Sequence, residues 1–340
     1  MNRVAVLGAG AWGTAIACHL SARTAARPEV LLWGRDPDQV RALAASRENA
    51  RYLPSVPLHG EIAVTHELAD VADAELLLAA VPIGALESLM MQVGAAGARA
   101  PFVWLAKGFV AAPALPAGVG LAHQVLGPRW PAPVGVVSGP SFAEEVARGM
   151  PTALAVAATD TALAVEVATL LRGETLRAYE SQDIAGVEVG GAIKNVLAIA
   201  AGASDGLGFG HNARAALITR GLAETGRLSR ALGGARETLM GLAGLGDLIL
   251  TCTGNLSRNR RVGLALAQGK ALPAILKELG HVAEGVPAAR AARRLAAHHG
   301  IEMPICEAVD RVLHEGLPPR QAVLELLRRE PRAELDQGSP

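Results

Sequence analysis

The chain has 340 residues, 51% of them hydrophobic, enough for two domains with their own cores and too apolar for a disordered polymer. Lys plus Arg and Asp plus Glu balance at 32 each, so no net field collects nucleic acid or an anionic membrane surface, and any anion must be held by local groups. Cys18, Cys252 and Cys306 are far apart, odd in number and without CxxC spacing; this argues against a disulfide framework and for a reducing compartment, with the cytoplasm as the simplest reading.

The uncharged stretch Val4 to Cys18, preceded by Arg3, has some likeness to a secretion signal. It is too short to span a bilayer and is interrupted by three glycines that have a better explanation. Val4–Leu7 reads as a β-run, followed by a glycine-rich turn and a helix, and "EVLLWGRD", ending at Asp36, completes a βαβ unit. Gly8, Gly10 and Gly13 form GxGxxG, which alone could be a flexible turn. Placed between strand and helix, the first allows the tight turn, the second lets backbone approach a pyrophosphate, and the third lets helix and strand pack closely. The helix N-terminus then receives the phosphates of a dinucleotide.

Where an Asp or Glu would bind the ribose of NAD, the second strand ends in Gly34 and Arg35. Arg35 suits the 2′-phosphate of NADP or stacks on adenine. A one-residue slip would restore Asp36 and an NAD preference, but Asp36 reads better as the N-cap of a helix with Pro37 at its first position. The expectation is therefore NADPH, with NADH also accepted. Further apolar runs, "AELLLAAVP", "APFVWLAKG", "PVGVVSGPS" and "PTALAVAAT", alternate with helix-compatible segments and predict a mainly parallel sheet covered on both faces. Lys107 and "SGPS" fall at the carboxyl edge of that sheet, where doubly wound folds place ligands. Lys107 could equally be a solvated loop lysine, and Ser141 with Glu144 forms a capping-box pattern.

After about Tyr179 the β-runs stop. Helical periodicity covers 184–202, 212–231, 257–268, 286–298, 304–315 and 319–329, giving an α/β dinucleotide-binding domain over 1–182 and an all-α substrate domain over 183–330. Residues 331–340 are expected to be a disordered tail. In "VEVGGAIKNVLAIAAG", Lys194 lies on an apolar helix face, with open space expected at Gly190 and Gly191 one turn back; such an ammonium must be paired or used. Asp247 and Thr251 share a helix face. Asp247 either caps that helix or orients a hydroxyl and tunes Lys194. Ser257 is a fitting N-cap for a helix whose first turn holds Arg258, Asn259, Arg260 and Arg261. Three cations there oppose the helix dipole unless a phosphate is bound, and the alternative is a solvated basic turn. The nine histidines lack metal-ligand spacing, Cys252 reads as core, and the 3% aromatic content is too small for a base-stacking surface.

Six blocks, "VLGAGAWGTAIA", "NARYLP", "SGPSFAEEVARGMPTA", "GGAIKNVLAIAAGASDGLGFGHNARAALITRG", "GLGDLILTCTGNLSRNRRVG" and "VAEGVPAAR", run from Val6 to about Arg290. Together they make the chain resemble the bacterial NAD(P)-dependent glycerol-3-phosphate dehydrogenases. The resemblance implies a Rossmann-type domain followed by a helical domain, and reduction of dihydroxyacetone phosphate to sn-glycerol 3-phosphate for phospholipid synthesis. It implies Lys194 as proton donor and acceptor. Lys107, Gly139, Ser141, Asp247, Ser257, Arg258 and Asn259 match substrate positions. Gly8, Gly10 and Gly13 remain the dinucleotide turn, and Ala11, Trp12, Arg35, Lys107, Ala143, Arg258, Val282 and Glu284 match cofactor positions. The chain departs from the family at "AVPIGALESLM", which lacks the usual Ser after "VP", and at "KGFVAAPALPAG", which lacks the usual Glu. Both lie on cofactor-side loops. A ketopantoate reductase or related dehydrogenase, and a non-catalytic NAD(P) sensor, remain as alternatives, and the oligomeric state stays open with a homodimer among the options.

Overall fold

The computed structural model describes residues 1–23, 27–280 and 282–329, so the tail expected over 331–340 lies outside the described residues. The strands are β1 (Arg3–Leu7), β2 (Glu29–Trp33), β3 (Glu48–Asn49), β4 (Leu53–Pro57), β5 (Ala63–Thr65), β6 (Leu76–Ala79), β7 (Phe102–Trp104), β8 (Val110–Ala111), β9 (Val119–Gly120), β10 (Val134–Ser138), β11 (Thr152–Ala158) and β12 (Leu176–Ser181). Eight of them form one sheet in the order β12-β11-β10-β7-β6-β1-β2-β5. β1, β6 and β7 are buried along almost their whole length, as strands covered on both faces must be, which is why their sequences read as unbroken apolar runs.

Six expected runs became strands of this sheet, while β5 and β12 were not read from the sequence. β12, "LRAYES", alternates buried and exposed residues at the sheet edge, a weaker signal than a continuous run. The sheet is parallel except where β11 runs antiparallel to β10. Between them lies only the five-residue helix α5 (Ala143–Ala147), introduced here with its predecessors α1 (Ala11–Ser21), α2 (Pro37–Ser46), α3 (Ile83–Ala95) and α4 (Ala122–Val125). α5 packs on α1 instead of returning along the sheet, so β11 starts at the edge where β10 stops.

α1 and α6 (Thr161–Leu171) contribute to the apolar layer on one face, while α3 contributes to that on the other. β12 ends at Ser181, and α7 (Ile184–Gly206) begins the helical part, where it is buried from Ala185 to Ile199. Around it lie α8 (Gly210–Ala231), α9 (Arg236–Leu239), α10 (Asp247–Thr253), α11 (Arg258–Ala267), α12 (Leu272–Leu279), α13 (Gly285–His298), α14 (Pro304–His314) and α15 (Pro319–Leu327). Among the described residues α7 is the one unbroken helix long and apolar enough to cross a membrane, and 89% of its most apolar window is buried in the protein.

α7 and α11 approach backbone to backbone. A Cβ on Gly202 would stand 2.0 Å from the Arg260 carbonyl oxygen, and one on Gly263 would stand 2.0 Å from that of Ile199. No side chain larger than hydrogen fits at either place without moving a helix. The contact fixes the start of α11 against the C-terminal half of α7, within about two turns of Lys194.

Candidate active site

The dinucleotide turn follows β1 as its spacing requires. Gly8 has φ +126° and a Cβ there would be 2.6 Å from the Ala80 carbonyl oxygen; one on Gly13 would be 1.9 Å from the Gly8 carbonyl oxygen. Glycine is therefore obligatory at both for backbone reasons. At Gly10 a Cβ would meet nothing within 4 Å, the open approach that a pyrophosphate needs. Ala11 and Trp12 form the first turn of α1, whose N-cap makes no side-chain hydrogen bond, leaving its first amides for a ligand. Gln39 and Asn49 side chains both donate to the Ala9 carbonyl, at 2.6 and 3.0 Å, and hold the loop in shape.

Arg35 is exposed just beyond β2. Asp36 accepts from the Asp38 and Gln39 amides at 3.0 and 3.4 Å, so it caps α2 as expected. On the helical side Val282 is exposed, and Glu284 accepts from the Ile83 amide at the start of α3 at 3.1 Å. Burial raises the Glu284 carboxyl pKa, opposed by that amide and by Arg258 nearby. Ala143, the first residue of α5, is half-buried.

The chemistry-bearing groups converge where α7 and α10 meet the sheet's carboxyl edge. Lys194 Nζ donates to Asp247 Oδ1 at 2.5 Å and to Thr251 Oγ1 at 2.9 Å. Lys107 Nζ donates to Asp247 Oδ2 at 2.5 Å and to the Gly139 carbonyl at 3.1 Å. Thr251 in turn donates to the Asp247 carbonyl at 2.6 Å, one turn back on α10. Lys107 is thus not a solvated loop lysine: it is paired with Asp247, with a side chain only 16% exposed. Asp247 does not cap its helix; its carboxylate is spent on the two lysines.

One carboxylate facing two ammonium groups leaves an excess of positive charge in a buried place. Burial lowers the Lys194 pKa from 10.5 to about 8; Asp247 opposes the shift and Lys107 adds to it. Burial alone would raise the Asp247 carboxyl, but Lys107 and Lys194 outweigh it and hold it below its ordinary value. Lys194 is therefore poised to exchange a proton near neutral pH.

Three expectations need correction. The space before Lys194 is not open: a Cβ on Gly190 would stand 2.5 Å from the Ala243 carbonyl oxygen, and one on Gly191 would be 3.0 Å from Ser138 Oγ. Gly190 admits the π-helical turn Leu242–Gly246, which sets up α10 and aims Asp247 inward, and Gly191 admits the Ser138 and Lys107 side chains. The capping box at Ser141 and Glu144 is not formed. α5 starts after Phe142, so Ser141 lies one position too early, and its hydroxyl donates to the Gly139 carbonyl at 3.0 Å while Glu144 pairs with Arg148. Finally, the arginines after Ser257 do not act as one cluster. Ser257 caps α11 by accepting from the Arg260 amide at 3.2 Å and Arg258 is exposed, but Arg260 is turned back onto Asp205 at 2.7 Å.

Asn259 is buried, donating to Asn195 Oδ1 at 2.9 Å and accepting from the Gly285 amide at 3.0 Å. It ties α11 to the residue following Lys194 and to the first residue of α13. Asn195 and Asp205 were not singled out from the sequence. A polar side chain directly after Lys194 in an apolar run was the available signal for the first.

A family model described as NAD-dependent glycerol-3-phosphate dehydrogenase N-terminus matches residues 3–164, and that for the C-terminus matches residues 183–324. The chain is 57% identical to the glycerol-3-phosphate dehydrogenase [NAD(P)+] of Aromatoleum aromaticum, covering 98% of this chain and 100% of that one. It is 52% identical to that of Nitrosospira multiformis over 98% and 99% of the two. The crystal structure of glycerol-3-phosphate dehydrogenase from Coxiella burnetii superposes with a TM-score of 0.90 at 41% identity, covering 96% of this chain and 99% of that one. A ketopantoate reductase from Ralstonia eutropha JMP134, at TM-score 0.58 and 17% identity, shares the fold alone. The glycine turn, the buried lysine pair on Asp247 and the match over nearly the whole length agree: the chain belongs to the NAD-dependent glycerol-3-phosphate dehydrogenase family and is an NAD(P)-linked oxidoreductase.

Proposed function

We propose that this chain reduces dihydroxyacetone phosphate to sn-glycerol 3-phosphate and runs the reverse oxidation, with Lys194 as proton donor and acceptor. The observation that carries the reading is the buried Lys194–Asp247–Lys107 cluster at the carboxyl edge of a sheet whose first turn is shaped for a dinucleotide. Bound dihydronicotinamide supplies the hydride. The protein's own part is to hold the ketone and manage its proton. Protonated Lys194 donates to the ketone oxygen as alkoxide character develops, and Lys107 adds a second positive charge beside it. Asp247 keeps both ammonium groups in place, and Thr251 fixes the Lys194 head from the other side.

The substrate phosphate goes to the start of α11, where the capped helix end and exposed Arg258 meet a dianion. The Asn259–Asn195 bond supports this placement, because it puts that turn one hydrogen bond from the neighbour of Lys194. Ser257, Gly139 and Ser141 complete the proposed substrate wall. On the cofactor side Ala11, Trp12, Ala143, Val282 and Glu284 lie against the dinucleotide, with Lys107 and Arg258 shared between the two ligands. Arg35 takes the 2′-phosphate, so NADPH is preferred to NADH. The three cysteines are free and buried, which fits a cytoplasmic setting.

The test is the loss of NADPH or NADH absorbance on adding dihydroxyacetone phosphate or unphosphorylated dihydroxyacetone. Rapid turnover of the phosphorylated ketone alone supports the reading; binding of NADPH without turnover of it would overturn it. In the same assay Arg35→Asp should cost about tenfold in kcat/KM with NADPH and leave NADH use equal or better, since one charge contact to phosphate is removed and a repulsion added. Unchanged discrimination would remove Arg35 from the cofactor site.

A further inference from the structure

Asp205 stands near the last turn of α7 and takes no part in the proton chemistry. Its Oδ2 accepts from Arg260 Nε at 3.1 Å and Nη2 at 2.7 Å, and from Arg214 Nη1 of α8 at 2.9 Å. The three side chains are only 11%, 13% and 19% exposed, so this is a built junction and not a surface ion pair. Arg260 is the third residue of α11, and its guanidinium also donates to Asn255, in the loop before the Ser257 cap. One buried carboxylate therefore joins α7, α8 and both sides of the α11 start.

We propose that Asp205 is a positioning residue for substrate phosphate: by holding Arg260 back against α7 and α8, it fixes the Ser257–Arg258–Asn259 turn in the orientation that receives the phosphate. The inference rests on the assignment of the phosphate to that turn. Without Asp205, the buried Arg214 and Arg260 guanidinium groups face each other with no counter-charge and must separate. Gly202 and Gly263 lock the backbone of α11 onto α7 from Arg260 onward, so the part able to move is the stretch from Asn255 to Arg258, which the Arg260 guanidinium grips through Asn255. Asn259, next to Arg260, is held by its own hydrogen bonds to Asn195 and the Gly285 amide, which keeps Lys194 and its partners in register.

The test compares kcat/KM for dihydroxyacetone phosphate with that for dihydroxyacetone, which lacks the phosphate. In Asp205→Asn the ratio should fall about tenfold or more through KM for the phosphorylated ketone, with the dihydroxyacetone value unchanged. A merely structural role would lower both substrates alike. Arg258→Ala, measured alongside, must also collapse the ratio. If Arg258→Ala collapses it and Asp205→Asn leaves it unchanged or raised, the proposal for Asp205 is overturned while the phosphate assignment stands. If neither variant changes it, the phosphate assignment itself fails and takes the proposal with it. Should Asp205→Asn not fold, Arg260→Lys keeps the charge but loses the two-pronged bond, and the same ratio decides.

Discussion

Replacing Lys194 by alanine is expected to give a folded protein that binds NADPH but reduces dihydroxyacetone phosphate about a thousandfold more slowly, the scale of a lost general acid. Retained folding is expected because Asp247 keeps its bond to Lys107 and is not left as an unpaired buried charge. The loss should fall on kcat more than on KM, since phosphate and cofactor contacts are assigned to other residues. Thermal unfolding and NADPH titration check the first half, and steady-state rates the second. Turnover near the parent's would show that the proton comes from another group.

Asp247→Asn should be the more damaging change to the protein as a whole. It leaves two buried ammonium groups 140 and 53 residues away in sequence, but meeting at one point, with no carboxylate between them. Loss of one partner of a buried charge cluster costs about 3 to 5 kcal/mol, to be read from urea unfolding at neutral pH. The sign of the accompanying pH effect follows from the cluster. Asp247 holds the Lys194 pKa up against burial and Lys107, so its loss lowers that pKa further below about 8. Residual reduction in the variant should then be greatest at acid pH, where Lys194 keeps its proton. An unchanged urea midpoint together with an unchanged pH optimum would remove Asp247 from the role given to it.

The parts of this arrangement legible in the sequence were those governed by local rules. GxGxxG between a strand and a helix required particular backbone approaches, and the Gly8 and Gly13 geometry supplies them. The Asp36 cap with Pro37, the Ser257 cap and most long helices depend on neighbours within one turn. A lone lysine in the apolar run of α7 demanded a partner, and Asp247 was already a candidate. What could not be read was decided by distant backbone. Gly190 and Gly191 looked like space, but a π-helical turn some fifty residues on fills it at the first, and Ser138 and Lys107 fill it at the second. Ser141 and Glu144 satisfied a capping pattern, yet the chain leaves Gly139 at φ +141° and enters α5 one residue later than the pattern assumes. The arginine-rich turn looked like one cationic cluster until Asp205, from the far end of α7, claimed Arg260.

The role of Lys194 is tested most directly by the pH dependence of kcat/KM for dihydroxyacetone phosphate with NADPH, followed from about pH 6 to about pH 10. With Lys194 as the proposed proton donor and acceptor, reduction of the ketone needs it protonated and oxidation of the alcohol needs it deprotonated. Reduction should therefore fall tenfold per pH unit above about 8, and oxidation of sn-glycerol 3-phosphate should rise through the same value. Profiles that stay flat in both directions across that range, with turnover intact, would contradict Lys194 as the proton donor.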